Sequence, residues 1–119
     1  MKKIYVAGRI SGECETHDLM VQCWRKFGDY EDDHIFKCNY LFKPVEGKFV
    51  QYKGLSVTNG LRINANLENE SWETYMKNCI PILIQCDEVH FLKDWKQSRG
   101  AKIEHKLCID LNIKIVYEQ

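Results

Sequence analysis

Glu88-Val89-His90-Phe91-Leu92, followed by a segment from about Arg99 to Leu111 and then by Ile113-Lys114-Ile115-Val116-Tyr117, is the stretch on which the fold turns. The outer pieces are short and rich in β-branched and aromatic residues, as buried strands are, and the middle piece is patterned as a helix. Strand, helix and strand in that order make a right-handed βαβ unit, whose two strands lie parallel. The same alternation extends towards the amino terminus. Lys3-Ile4-Tyr5-Val6-Ala7 predicts a buried strand that ends at Gly8. Leu19, Met20, Cys23, Trp24 and Phe27 recur at helical spacing between Thr16 and about Tyr30, and a second strand is expected over residues 35–41, before Pro44. Ser71 can cap a helix with Trp72, Tyr75, Met76, Cys79, Ile82 and Leu83 on one side. Pro81 should kink that helix or open a second helical piece. The expected class is α/β, a single domain built on an open, mostly parallel sheet flanked by helices.

Residues 45–70 interrupt this pattern. Gly47, Gly54, Asn59 and Gly60 punctuate them, and Phe49-Val50-Gln51-Tyr52 can pair with Leu55-Ser56-Val57 as a short hairpin. An irregular insertion of that length in a 119-residue chain is either functional or a surface elaboration, and both readings stay open.

Charge narrows the function classes. The 17 basic and 17 acidic residues cancel, which argues against a surface devoted to a nucleic acid polymer. The apolar run at the amino terminus is too short for a signal peptide or a membrane span, so no membrane partner and a cytoplasmic location are expected. In such a compartment the six cysteines read as free buried thiols rather than disulfides. Cys86-x3-His90 and His105-x2-Cys108 fit no common zinc template well, so no metal is expected, and no cofactor is implied.

One side chain stands out. On a helical wheel Ala101, Leu107, Cys108 and Leu111 share an arc, Lys102, Lys106 and Asp110 point away, and Glu104 falls within the apolar arc. A carboxylate on a buried face is costly unless paired or hydrogen-bonded. A capping box does not explain it, because the residue three after Ser98 is Ala101. Glu104 is therefore either a catalytic or ligand-binding carboxylate, or a structural one paired with Arg9 or Arg25. In an open parallel sheet ligands bind beyond the carboxyl ends of the strands, which brings the loops after Ala7 and Leu92 together. Gly8-Arg9-Ile10-Ser11-Gly12 can wrap a phosphate, and Ser98, Arg99 and Gly100 lead into a helix amino terminus whose N–H groups suit an anion. Neither loop is a dinucleotide fingerprint or a Walker loop.

Ile4-Tyr5-Val6-Ala7-Gly8-Arg9-Ile10-Ser11-Gly12, Cys86-Asp87, Trp95 and Ser98-Arg99-Gly100-Ala101-Lys102-Ile103-Glu104 resemble the nucleoside 2-deoxyribosyltransferase superfamily. The match is closest to an uncharacterised family of phage and bacterial proteins within it, related to hydrolases of deoxynucleoside 5′-monophosphates. It covers both ends of the chain and leaves residues 30–70 nearly unmatched. The resemblance implies a flavodoxin-like (Rossmann-like) sheet, a nucleotide or nucleoside as the small-molecule partner, and a homodimer or higher homo-oligomer. It implies Glu104 as the nucleophile of an N-glycosidic-bond transferase or hydrolase, Tyr5 as its hydrogen-bond partner, and Ser98 near the 5′ end of the substrate. One departure matters. The superfamily usually has an aspartate eight residues before the aspartate of the Cys-Asp pair, where it assists departure of the base, and here Cys79 stands there. Glu73 or Asp94 could fill the gap, or nothing does, and in that case the chain is a non-catalytic nucleotide-binding protein.

Overall fold

The computed structural model describes residues 1–8, 49–52, 54–64, 67, 70–93 and 95–118. Within them one sheet holds five strands: β1 (Lys3–Ala7), β2 (Val50–Tyr52), β3 (Leu55–Asn59), β4 (Glu88–Phe91) and β5 (Lys114–Tyr117). Their spatial order is β2-β3-β1-β4-β5. β3, β1, β4 and β5 run parallel, and only the edge strand β2 is antiparallel, folded back on β3 through Gly54. Gly54 adopts a φ of 79°, a conformation that costs glycine little. The chain is thus an α/β, flavodoxin-like domain with a mostly parallel sheet, as expected. The expected helix over 16–30 and strand over 35–41 lie outside the described residues.

β1 is central. Ile4, Tyr5, Val6 and Ala7 are all buried, as a strand with sheet on both sides and cover on both faces requires. From β1 the chain reaches β3 on one side and later β4 on the other, so the strand order reverses at β1. The Leu92 N–H donates to the Ala7 carbonyl at 2.8 Å, which joins the ends of β1 and β4. A Cβ added to Gly8 would run into the Leu92 side chain, 2.8 Å from its Cβ and Cγ, so glycine is what lets this pair of loops close.

The structure corrects the expectation for residues 45–70. The hairpin forms, but its second arm is no elaboration: Leu55–Asn59 is the parallel neighbour of β1. Its polar residues hid it, because Ser56, Thr58 and Asn59 are buried with Val57 and break any apolar pattern. Asn59 then caps a short helix, α1 (Gly60–Ile63), its side-chain oxygen accepting from the Arg62 N–H at 2.8 Å.

Two longer helices pack on the sheet face that carries Tyr5, Ala7, Val89 and Phe91. These are α2 (Trp72–Leu83) and α3 (Arg99–Asp110). Ser71 caps α2 by accepting from the Thr74 N–H at 3.2 Å. Pro81 neither divides α2 nor opens a second helix; it lies in the last turn, which ends two residues later at Leu83. A proline there removes one hydrogen bond close to where the helix stops anyway. The helices meet at Gly100, where a Cβ would come within 2.9 Å of Met76 Sδ.

Adding a methyl group at Gly8 is expected to destabilise the fold by roughly 1–3 kcal/mol through overpacking. In a Leu92→Ala background the same Gly8→Ala change should cost markedly less, since the obstructing side chain is gone. Urea denaturation of the four proteins measures this; strictly additive losses would contradict the contact.

Candidate functional site

Glu104 lies on the buried face of α3 with Gly100, Ala101 and Cys108, as its place on the apolar arc requires. The Tyr5 hydroxyl hydrogen-bonds its carboxylate from the centre of the sheet. That hydroxyl has risen to the carboxyl edge, for a Cβ on Gly60, the residue after β3, would sit 3.6 Å from it. The same Cβ would sit 3.4 Å from Cys79 Sγ of α2. Tyr5, Cys79 and Glu104 therefore converge beside α1 from three different elements. Asn64, just beyond α1, donates its Nδ2 to Cys79 Sγ at 3.2 Å and to the Gly60 carbonyl at 3.0 Å.

The electrostatics of this cluster are those of a carboxyl held short of partners. Glu104 is 5% exposed, and its Oε2 has no hydrogen-bond partner among the described residues. Burial pushes its pKa up to about 7, against which the Tyr5 hydrogen bond works in the other direction. Tyr5 and Cys79 keep their protons at neutral pH: burial raises the phenol well above its usual range and the thiol to about 11.

Glu88 supplies the contrast. It is also buried, yet its Oε2 meets His90 Nε2 at 2.9 Å and its Oε1 meets Lys2 Nζ at 2.8 Å and Lys114 Nζ at 3.2 Å. The hydrogen bonds from His90 and then Lys2 hold it down at about 2. Glu88 has its partners at the amino ends of the strands, and Glu104 lacks one at the opposite edge. A structural carboxylate resembles the first; a carboxylate kept for a ligand resembles the second.

The remaining expected site residues have mixed placements. Ser98 is the N-cap of α3, its Oγ accepting from the Ala101 N–H at 3.1 Å, so it has a structural role whatever else it does. Arg99 is exposed and lays its guanidinium over the Trp72 ring at 3.9 Å. Gly100 is filled on its open side by Met76, so packing between α2 and α3, not a ligand, accounts for this glycine. Gly8 closes on Leu92. Arg9, Ser11, Gly12, Arg25 and Asp94 lie outside the described residues. Glu73 is exposed on the first turn of α2. Asp87 binds the Lys3 N–H at 2.8 Å, on the side of the sheet away from Glu104. Trp95 stacks on His105 with centroids 4.1 Å apart, and His105 meets the Tyr117 hydroxyl at 2.6 Å. Among the described residues no three His, Cys, Asp or Glu side chains gather as metal ligands would.

Asn64 was not visible from sequence as a member of the site. It follows a four-residue helix in a stretch without periodicity, and an isolated asparagine there carries no signal of its own.

Fold and cluster together define a parallel α/β domain with a partly unsatisfied carboxyl at the carboxyl edge of its sheet. A family model described as a domain of unknown function (DUF4406) matches residues 35–117, and the chain belongs to that family. The matched stretch includes Asn64, Cys79, Ser98 and Glu104, while Tyr5 and Gly8 precede it. No curated protein and no solved structure matches the chain.

The raised pKa of Glu104 makes stability depend on pH with a definite sign. In the unfolded chain the carboxyl titrates near 4.5, in the fold near 7. Between those values the folded protein keeps a proton that the unfolded chain has lost. This contribution is complete below pH 4.5 and is lost as pH rises through 7, an effect of roughly 3 kcal/mol. Glu104→Gln removes it. The variant should match wild type near pH 4.5 and exceed it near pH 8 in urea denaturation; an unchanged difference across that range would contradict the buried carboxyl.

Proposed function

We propose that this protein breaks the N-glycosidic bond of a deoxynucleoside 5′-monophosphate or deoxynucleoside, by hydrolysis or by transfer of the base, with Glu104 as nucleophile. The observation that carries the reading is the buried Glu104 carboxyl, fixed by Tyr5 at one oxygen and without a partner at the other. Ionised Glu104 attacks the anomeric carbon as the carbon–nitrogen bond breaks, and the electron pair leaves with the base. The sugar remains as an ester of Glu104 until water or a second base displaces the carboxylate. Tyr5 supports the ionised form before attack and after release.

The resemblance to the nucleoside 2-deoxyribosyltransferase superfamily supports this assignment, and Cys79 weighs against efficient turnover. A thiol that titrates at about 11 is a poor acid for a departing base. A nucleotide-binding protein without chemistry is the second reading, and Cys79 is the observation that favours it. The Gly8, Arg9, Ser11 and Gly12 loop, with Ser98 and Arg99, would line the substrate site in either case. Assembly into a homodimer or larger oligomer belongs to the same proposal, supported by the exposed apolar side chains Ile103, Ile109 and Leu111.

Incubation with a panel of deoxynucleotides should release free base, at a rate that rises with pH through about 7 as Glu104 ionises. Glu104→Gln should lower that rate by roughly 100-fold or more. Retention of most of the rate would end the nucleophile assignment, and tight binding with no base released would favour the second reading.

Ser98 bears on substrate choice. Its Oγ accepts from Ala101, so its proton is left to donate, beside the N-terminal turn of α3. A 5′-monophosphate should therefore bind better than its nucleoside, and less so at high salt. Calorimetric titration of both ligands against wild type and Ser98→Asp measures this. Equal affinities in wild type, or undiminished monophosphate binding in the variant, would remove the phosphate site.

A further inference from the structure

Arg99, the first residue of α3, sets its guanidinium carbon 3.9 Å from the centre of the ring of Trp72, the first residue of α2. Stacking uses the face of a guanidinium and leaves its N–H groups, which lie in its plane, open to other partners. Among the described residues the Arg99 side chain makes no hydrogen bond and no ion pair, although it is exposed and always charged. The stack lies beside the candidate site. Trp72 also reaches Gly100, where a Cβ would sit 3.9 Å from its Nε1. Gly100 and Glu104 share the buried face of α3 one turn apart, so the indole borders that face above the carboxyl. Glu104 Oε2, buried and without a partner among the described residues, marks the same face as one that receives a ligand. From Arg99 to Glu104 the helix rises about 7.5 Å along its axis, comparable to the reach from the anomeric carbon of a deoxynucleotide to its 5′-phosphate.

We propose that Arg99, held flat on Trp72, is the cation that selects a phosphate monoester at this site, and that Trp72 is its positioning residue. The proposal rests on the substrate reading given above and deepens it, by naming the group that recognises the phosphate. A guanidinium presents pairs of parallel N–H groups that match two oxygens of a phosphate. An unrestrained arginine side chain loses rotamer freedom when it engages a ligand, and one already laid on an aromatic face loses less. Trp72 itself brings no charge, so its effect on the phosphate passes through Arg99. A lysine at the same place would keep the charge but has neither the plane to stack nor the fork to meet two oxygens.

Deoxyribose 5-phosphate and deoxyribose test this without a base and without turnover. Each is titrated into the full chain and followed by NMR, and the ratio of the two affinities is the readout. Arg99→Gln should lower the preference for the phosphate ester roughly 10-fold. Trp72→Leu should lower it roughly 3-fold, and Trp72→Phe, which keeps an aromatic face, should restore most of that loss. In an Arg99→Gln background Trp72→Leu should lower the ratio no further, because the residue it positions is gone. If Trp72→Leu does not fold, Arg99→Lys tests the stack from the other side and should lose several-fold of the preference with the charge retained. A ratio unchanged by Arg99→Gln, an equal loss from Trp72→Leu with and without Arg99, or a wild type that binds the ester no better than the sugar would overturn the proposal. Its failure is distinct from that of the reading it rests on. Glu104-dependent release of base at equal rates from nucleosides and their monophosphates would keep the proposed function and end the role of Arg99. A preference for the phosphate ester that depends on Arg99 and Trp72, in a protein that releases no base, would do the reverse.

Discussion

The hydrogen bond between the Tyr5 hydroxyl and the Glu104 carboxyl joins the central strand of the sheet to the middle of its last long helix. Everything near it is arranged around a group that is expensive to bury. The sheet face that carries Tyr5 must be covered by α2 and α3 for the phenol to be buried at all. The hydroxyl must then reach the carboxyl edge of the sheet, and α3 must sit low enough over that edge for Glu104 to meet it. Two close approaches allow this. Gly8 lets the end of β1 close on Leu92, and Gly100 lets α3 settle against Met76 of α2.

The two buried glutamates show what the fold does with charge when it has a choice. Glu88 is surrounded by Lys2, His90 and Lys114 and sits at about 2. Glu104 receives a neutral hydroxyl and is pushed to about 7. A fold that gives one buried carboxylate its cations and denies them to the other carries a stability penalty at neutral pH. Such a penalty is common where a group is poised for a ligand or a reaction.

Much of this was legible in the residues. β1, β4, β5, α2 and α3 declared themselves through their apolar patterning and, for α2, through the cap at Ser71. Glu104 stood out because an acid on an apolar helical arc breaks the pattern around it. β3 did not show, because Ser56, Thr58 and Asn59 look like a turn-rich stretch until their strand is placed beside β1. Asn59, the last of its polar residues, is tolerated inside because it lies where a helix begins and caps that helix. Gly100 was legible as part of a helix start but not as the point where a methionine of α2 packs against α3. Asn64 and its hydrogen bond to Cys79 depend on distances between elements, which no local pattern encodes.

The most direct test of the central claim is to look for the covalent ester itself. Wild type and Glu104→Gln would be mixed with a deoxynucleoside 5′-monophosphate, quenched in acid, digested and read by peptide mass spectrometry. The account predicts a deoxyribose-phosphate adduct on the peptide that carries Glu104 in wild type, with free base in solution, and neither in the variant. Base release with no adduct on Glu104, or an adduct on a different carboxylate, would contradict it.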